Sequence, residues 1–576
     1  MIQSTQSIET AGVAPPDRRP AVTRLAATLR DALSSSHLPC PAAEALCTPL
    51  ALLLGRHLRI DAADSHWPDR DRVVLFADAA PLGPASSTLL GAPPGLFHAS
   101  PEALGSAAGL ALAERMLAGR FGRSLVDHRC WVLGGGTMLA TGAVQEAAWL
   151  AGAWRLGRLT MVTSVEDGDC PGLAGFTAHG WIVRRAAADE PEEIAAALSA
   201  ALRSSKPTLV ACTGPPPFMT GLQAAEPAAW DAAGRRAAGM RRSWLRRLSR
   251  HFSRAEFAQA AAGRLPPRWH EALSQTEWLG VPGRSTLSTV HAVRRALDGL
   301  AAGLPELATL PGKPGWPPGA AQPEPPVATR SCSATLSRAT ASALSGMALH
   351  GGLLPLATFC LDEFENIWPV LGCSARAGLR GVAVLVEPGT AGISDGRLAA
   401  MRATPNLEMF RPADASEALE CLELALRRTA GPSVLLLSDV PARLLSPRLT
   451  RTRAARGAYL VAAATGPRAA TLIAGGPELG LAWEVRDRLT AAGIEAAVVS
   501  LPCWDLAAAQ DPDALDSLLG AAPRIGIERS SGFGWAQWLG QDGLFVGLGD
   551  ASPAAAIQTI EAAILRHLNG RSHRHA

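Results

Sequence analysis

Lysine is almost missing from this chain of 576 residues. Only Lys206 and Lys313 occur, each beside a proline, so arginine carries nearly all of the basic charge. That leaves little lysine for a phosphate-binding P-loop or a Schiff base. Cysteine lacks pattern: ten residues, at 40, 47, 130, 170, 212, 332, 360, 373, 421 and 503, form no CxxC pair and no zinc-ligand spacing. They read as small apolar residues of a reducing compartment. Long apolar runs are lacking too. The first twenty residues are polar and partly acidic where a signal peptide needs an apolar stretch, and no run approaches the ~18 residues of a membrane span. A cytoplasmic protein is expected, with no membrane partner. One-signed charge is also absent: 54 basic against 51 acidic residues leave a net +3, too little to make nucleic acid the main partner.

The chain is long enough for several domains, and with 48% hydrophobic and 18% charged residues it has the composition of a folded globular protein. After an arm at 1–20, residues 21–225 alternate helical periods with short β-like runs such as RVVLFA (72–77), CWVLG (130–134), LTMVT (159–163), GWIVR (180–184) and PTLVAC (207–212). That rhythm predicts a parallel sheet covered by helices on both faces. A second unit, 283–450, contains a proline-rich loop at 310–328 and the runs GVAVLV (381–386), LEMF (407–410) and SVLLLS (433–438). A third, 451–570, repeats strand and helix through ATLIAGG (470–476), AAVVSLP (496–502), RIGIE (524–528) and FVGL (545–548), ahead of a tail at 571–576. The expected fold class is α/β, three doubly wound domains joined by a helical connector.

That connector, 226–282, holds RRAAGMRRSWLRRLSRHFSR (235–254), in which Trp244, Leu245, Leu248 and Phe252 form an apolar stripe between arginine pairs. A solvated helix with an apolar inner face accounts for the pattern. A nucleic-acid-binding helix using Arg241, Arg242, Arg246 and Arg247 is the alternative, but no aromatic stacking pattern or recognition motif accompanies it.

The order of short motifs resembles the transketolase family over residues 24–565. In the first unit WPDRDRVVL (67–75) is similar to W-x-D-R-D-R-F-V-L, GLALAERMLAGRFGRSLVDH (109–128) to the G-M-A-I-A-E helix, LAGAWRLGRLT (150–160) to L-A-G-x-x-x-L-G-K-L, and FTAHGWIV (176–183) to F-x-A-Y-G-W. The second unit offers GMALHGGLLP (346–355) and RATPNLEMFRPADASE (402–417); the third offers RGAYLV (456–461), SLPCWDL (500–506) and GFGWAQWLGQDG (532–543). Each motif alone is weak, but together they keep the family's order and spacing. The resemblance implies a homodimer of three α/β domains, a diphosphate-binding type, a pyrimidine-binding type and a C-terminal domain, with thiamine diphosphate and Mg²⁺ held between subunits.

The residues that this cofactor requires are changed. Mg²⁺ takes hard oxygen ligands, which the family supplies from G-D-G-x-x-x-E-G and D-D-N-G. Here GGTMLATG (135–142) puts Gly136 at the aspartate and Thr141 at the glutamate, while TSVEDGD (163–169) puts Glu166 at the asparagine, next to Asp167 and Asp169. Glu166 is thus the one weak metal candidate. The glutamate that drives ylid formation lies thirteen residues before the histidine of A-L-H-G-G; counting back from His350 gives Ser337, whose hydroxyl is no substitute base. In CLDEFENIWP (360–369), Glu363 and Asn366 fall on aromatic positions of the pyrimidine platform, with Phe364 and Pro369 nearby.

Substrate contacts change in parallel. Ala79 stands at a family histidine, Val290 and Asp439 at two phosphate-binding arginines, and EPGTAGISDG (387–396) runs straight into RLAAMRATP without the H-Q-P segment. Only His37, in SSSHLPCP, matches a substrate histidine and is a weak catalytic candidate; a lone histidine before a proline-rich turn is more often structural. The favoured expectation is a catalytically degenerate homologue serving as scaffold or regulatory partner, a homodimer or a heterodimer with an active transketolase. The alternative is a thiamine-diphosphate- and Mg²⁺-dependent enzyme moving two-carbon ketol units between sugars with an altered site, in which Glu363 or Glu365 replaces the missing carboxylate.

Overall fold

The structure, a computed structural model, describes residues 21–34, 40–93, 95–166, 170–215, 227–274, 286–310, 337–387, 396–445 and 453–575. His37, Asp167, Asp169, the arm at 1–20 and nearly all of the proline-rich loop lie outside them. Valine-, leucine- and isoleucine-rich runs buried on both faces demand helices on either side, and the strands of the first sheet pair only in parallel. They are β1 (Arg72–Leu75), β2 (Phe97–Ala99), β3 (Cys130–Gly135), β4 (Leu159–Val165), β5 (Ile182–Ala187) and β6 (Thr208–Thr213), ordered β2-β1-β3-β4-β6-β5.

The short β7 (Thr286–Leu287) pairs antiparallel with β13 (Ala442–Arg443). Between them runs the second parallel sheet, β8 (Leu307–Leu310), β9 (Leu354–Cys360), β10 (Gly381–Glu387), β11 (Glu408–Phe410) and β12 (Pro432–Ser438), ordered β11-β12-β10-β9-β8. The third comprises β14 (Tyr459–Ala462), β15 (Ala470–Ala474), β16 (Ala496–Ser500), β17 (Arg524–Glu528) and β18 (Leu544–Gly547), ordered β14-β16-β15-β17-β18, with only β14 antiparallel. The expected α/β class with doubly wound sheets is therefore the observed one.

Two joints hold these sheets together. At the first, helix Ala103–Phe121 lies against helix Ser337–His350. Glycine is required there: a Cβ on Gly109 would sit 2.0 Å from the carbonyl oxygen of Ala343, and one on Gly346 would sit 1.9 Å from that of Ser106. Leu110, Leu117, Leu344 and Met347 join one core across the joint. Under it lies the WPDRDR motif. Asp71 accepts the amides of Arg59 (3.1 Å) and Arg129 (2.9 Å) and the indole N–H of Trp131 (3.2 Å); Asp69 accepts the Asp127 amide and an Arg59 guanidinium N–H, both at 2.6 Å. His128 and His350 meet Nε2 to Nε2 at 3.0 Å. Burial, then neighbouring charge, drives both imidazoles well below their usual range.

The second joint is ionic. Arg411 of the RPAD motif is buried and donates to Glu478 (2.5 and 3.2 Å) and to the Gly475 carbonyl (2.9 Å), with Glu387 at 3.7 Å and Glu528 at 3.9 Å. Glu528 also accepts Arg402 (2.6 and 2.9 Å) and the Trp535 indole (2.9 Å). Enclosing this much charge is favourable only when each group is paired.

One expectation needs correction. Of the apolar stripe on the arginine-rich helix Ala238–Arg250, Trp244 is buried against Trp67 and Phe257, but Leu245 is 44% and Phe252 93% exposed. Leu245 is one position round the helix from Trp244, and Phe252 lies beyond the helix end, so neither shares the inner face. Residues 571–575 are the end of helix Pro553–His575. β9 adds a buried strand to those expected in the second unit.

Candidate functional site

The carboxyl ends of parallel strands leave a crevice where open α/β sheets bind ligands. In the first sheet that edge is built by β1, β3 and β4. Gly134 and Gly135 pair in register with Thr163 and Ser164, which sets Gly136, opening a 3₁₀ turn at 136–140, beside the strand that Glu166 follows. Gly136 brings no ligand atom from a side chain and has no room for one in this conformation: a Cβ would lie 2.7 Å from the Ser164 carbonyl oxygen and 3.3 Å from Val165 Cγ2. Thr141 is exposed and spends its hydroxyl on the Met138 carbonyl at 2.8 Å. Glu166 is exposed.

Sequence reasoning missed Asp78, one residue before the Ala79 it singled out. The Asp78 carboxylate accepts the Gly135 amide at 3.0 Å, and its Oδ1 is buried with no partner among the described residues. A backbone N–H at a strand-to-turn junction is what a phosphate oxygen would need; here a carboxylate holds it, and its charge would repel a diphosphate. Among the described residues no group of three or more His, Cys, Asp or Glu side chains could hold a metal ion. The described donor set at this edge does not fit magnesium-bound thiamine diphosphate.

Ser337 lies elsewhere, buried where helix Ser337–His350 begins. The next two amides, of Arg338 and Ala339, bind Glu146, whose carboxyl is pushed up to about 7, mainly by burial. A carboxylate at a helix N-terminus satisfies orphan N–H groups and complements the dipole. Arg338 pairs with Glu102 at 2.5 Å. The carboxylates around Ser337 are thus occupied in holding the first joint.

The remaining candidates also have structural partners or none to offer. Glu363 Oε2 accepts the Cys360 amide at 2.7 Å and caps the turn into helix Phe364–Arg376, while Glu365 pairs with Arg397 at 3.5 Å. Phe364 and Trp368 stack at 5.8 Å on that helix. Of the four arginines proposed for nucleic acid, Arg241 binds Asp64 (2.8 Å) and Asp61 (3.3 Å), and Arg247 binds the Ser124 carbonyl (3.0 Å).

A second concavity, about 240 Å³, opens between the second and third sheets and is lined by Glu387, Ser438, Arg443, Leu481, Glu484 and Arg529 among others. Glu387 is 3% exposed, and burial raises its pKa. Arg529 is held by the Gly549 and Ala551 carbonyls at 3.0 and 2.7 Å. Asp439, at a family phosphate arginine, is exposed one residue beyond Ser438; Val290 packs on the core. With two carboxylates against two guanidiniums, this cavity lacks the cationic bias that a sugar phosphate needs.

Among the described residues no helix is long and apolar enough to cross a membrane. Residues 101–234 match the family described as transketolase, thiamine diphosphate binding domain, and 457–557 the transketolase-like TK C-terminal domain. The chain is 33% identical to a transketolase of Cereibacter sphaeroides, over 88% of this chain and 91% of the relative, and 30% identical to one of Sinorhizobium medicae, over 88% and 86%. Its fold is similar to the transketolase of Leishmania mexicana (TM-score 0.81, 20% identity, 95% of this chain and 97% of that one). It is also similar to a transketolase of Pichia stipitis solved with sedoheptulose 7-phosphate (0.83, 19%, 96% and 98%). On the strength of the full-length sequence relatives, the chain belongs to the transketolase family.

Proposed function

We propose that this chain is a catalytically degenerate member of the family that acts as a scaffold or regulatory partner in the cytoplasm, paired with itself or with an active transketolase. The observation that carries the proposal is the Asp78 carboxylate on the Gly135 amide, next to a Gly136 with no space for a side chain. Ser337 in place of a base points the same way, since a hydroxyl cannot shuttle the proton that the family reaction requires. The domain limits 21–225, 226–282, 283–450 and 451–570 form part of this reading. A fold freed from its reaction still offers surfaces for a partner. Sedimentation of the chain alone and mixed with an active transketolase tests it: a dimer, or a mixed species with altered ketol transfer, is expected. A chain that stays monomeric in both mixtures contradicts it.

The second reading, an enzyme with an altered site transferring ketol units between unphosphorylated sugars, is favoured by the cavity holding Glu387 and Arg529, which suits neutral polar ligands better than phosphates. Under it, Glu166→Gln or Glu363→Gln abolishes turnover of such sugars with thiamine diphosphate and Mg²⁺.

A further inference from the structure

At the amino-terminal edge of the first sheet, opposite the strand ends described above, six arginines line one cleft of about 410 Å³: Arg115, Arg123, Arg129, Arg155, Arg158 and Arg203. Four have structural reasons to be there. Arg115 donates to the Trp154 carbonyl and Arg129 to that of Leu202, at the carboxyl ends of helices Gly142–Ala153 and Pro191–Ala201, where cations complement the helix dipole. Arg123 pairs with Glu114 at 2.8 Å, and Arg123 and Arg158 both bind Asp127.

Arg155 and Arg203 are different. Both are exposed, and neither guanidinium meets an acceptor among the described residues. Arg155 is held at φ 51°, a conformation that costs a non-glycine residue free energy. Gly157 lets this turn close on the 203–205 loop, since a Cβ there would lie 2.7 Å from the Ser205 carbonyl. Deeper in the cleft wall, Arg129 Nη1 is buried with no hydrogen bond among the described residues. Six guanidinium groups thus line the cleft with one carboxylate, Glu114, while Asp127 pairs two of them from beside it, in a chain whose whole net charge is +3.

We propose that this cleft is a binding site for a compact polyphosphate, either the phosphate chain of a nucleotide or a free inorganic polyphosphate. Guanidinium forks match phosphate oxygens two at a time. Several linked phosphates are needed to reach Arg155 and Arg203 together with their paired neighbours. The volume suits a small ligand within the usual range of such sites, and it lies away from the cofactor edge, so the site is independent of any catalysis.

Calorimetric titration of the full chain with tripolyphosphate, ATP, AMP and sulfate tests this. Tripolyphosphate and ATP are expected to bind at least about tenfold more tightly than AMP or sulfate, with affinity falling at least about tenfold from low to physiological salt. Equal affinities for the first two identify the phosphate chain as the ligand, and tighter ATP identifies a nucleotide; either supports the site. Glycine accepts the backbone of residue 155, so the double variant Arg155→Gly, Arg203→Ala should fold as the wild type by circular dichroism while losing at least about tenfold in affinity. Arg242→Ala with Arg246→Ala, on the exposed helix, should leave binding unchanged. Tripolyphosphate binding no tighter than sulfate, unchanged affinity in the first variant, or an equal loss in the second overturns the proposal.

Discussion

The joints between the sheets and the carboxyl edge of the first sheet have diverged from the family pattern in opposite ways. At the joints the motif residues remain, and each has a physical reason to: a Cβ on Gly109 or Gly346 would meet a backbone oxygen at 2.0 or 1.9 Å, Asp69 and Asp71 satisfy buried donors, and Arg411 neutralises a cluster of carboxylates. At the edge, the positions that would bind metal hold Gly136 and Thr141, and where the joint helix begins the position that would move a proton holds Ser337. Packing constraints punish each substitution with lost stability, whereas ligand positions are constrained only while the ligand matters.

The comparison can be broken first at the joint. Gly109→Val drives a side chain into the Ala343 carbonyl; a cost above about 4 kcal/mol, or failure to fold, is expected from urea denaturation. A variant of wild-type stability would show that the helices can part.

A smaller effect concerns Glu417, buried where the second sheet meets the third. It accepts Tyr459 Oη (2.7 Å), Ser500 Oγ (2.6 Å) and the Ala413 amide (2.5 Å), yet burial and then Asp414 push its carboxyl from 4.5 up to about 7. The folded chain therefore holds this proton more firmly than the unfolded one. The associated stability is complete below pH about 4.5 and lost as pH rises through about 7, a difference of at most about 3 kcal/mol. Glu417→Gln should flatten the fall in unfolding free energy between pH 5 and 8; an unchanged slope means that other groups set it.

Smaller still is Gly136→Asp, which restores the family ligand by name. Because its Cβ would press on the Ser164 carbonyl, a loss of about 1–3 kcal/mol is expected with no Mg²⁺-dependent rise in Tm. A rise in Tm with Mg²⁺ would mean the edge can still be rebuilt as a metal site.

Much of this was legible in the sequence because the signals are dense. Runs such as GVAVLV and SVLLLS announce buried parallel strands, and the motif register located Gly136 and Ser337 before any coordinates. The three-residue strand Phe97–Ala99 is too short for periodicity to identify, whereas the apolar run LEMF (407–410) already marks the strand Glu408–Phe410. Asp78 was hidden for another reason. Nothing in FADAAPLG says that its carboxylate turns back onto Gly135, fifty-seven residues later in the chain. Arg411 sits inside a quoted motif, but its three carboxylate neighbours come from distant strands and helices, so only the fold discloses them. Phe252 misled because a helical stripe was extended past the helix end.

The proposed loss of cofactor binding at the carboxyl edge of the first sheet can be measured in solution. A calorimetric titration of the purified chain with thiamine diphosphate in the presence of Mg²⁺, followed by a ketol-transfer assay with xylulose 5-phosphate, tests it most directly. No saturable heat below millimolar cofactor and no transfer are predicted; micromolar binding accompanied by ketol transfer would contradict the account.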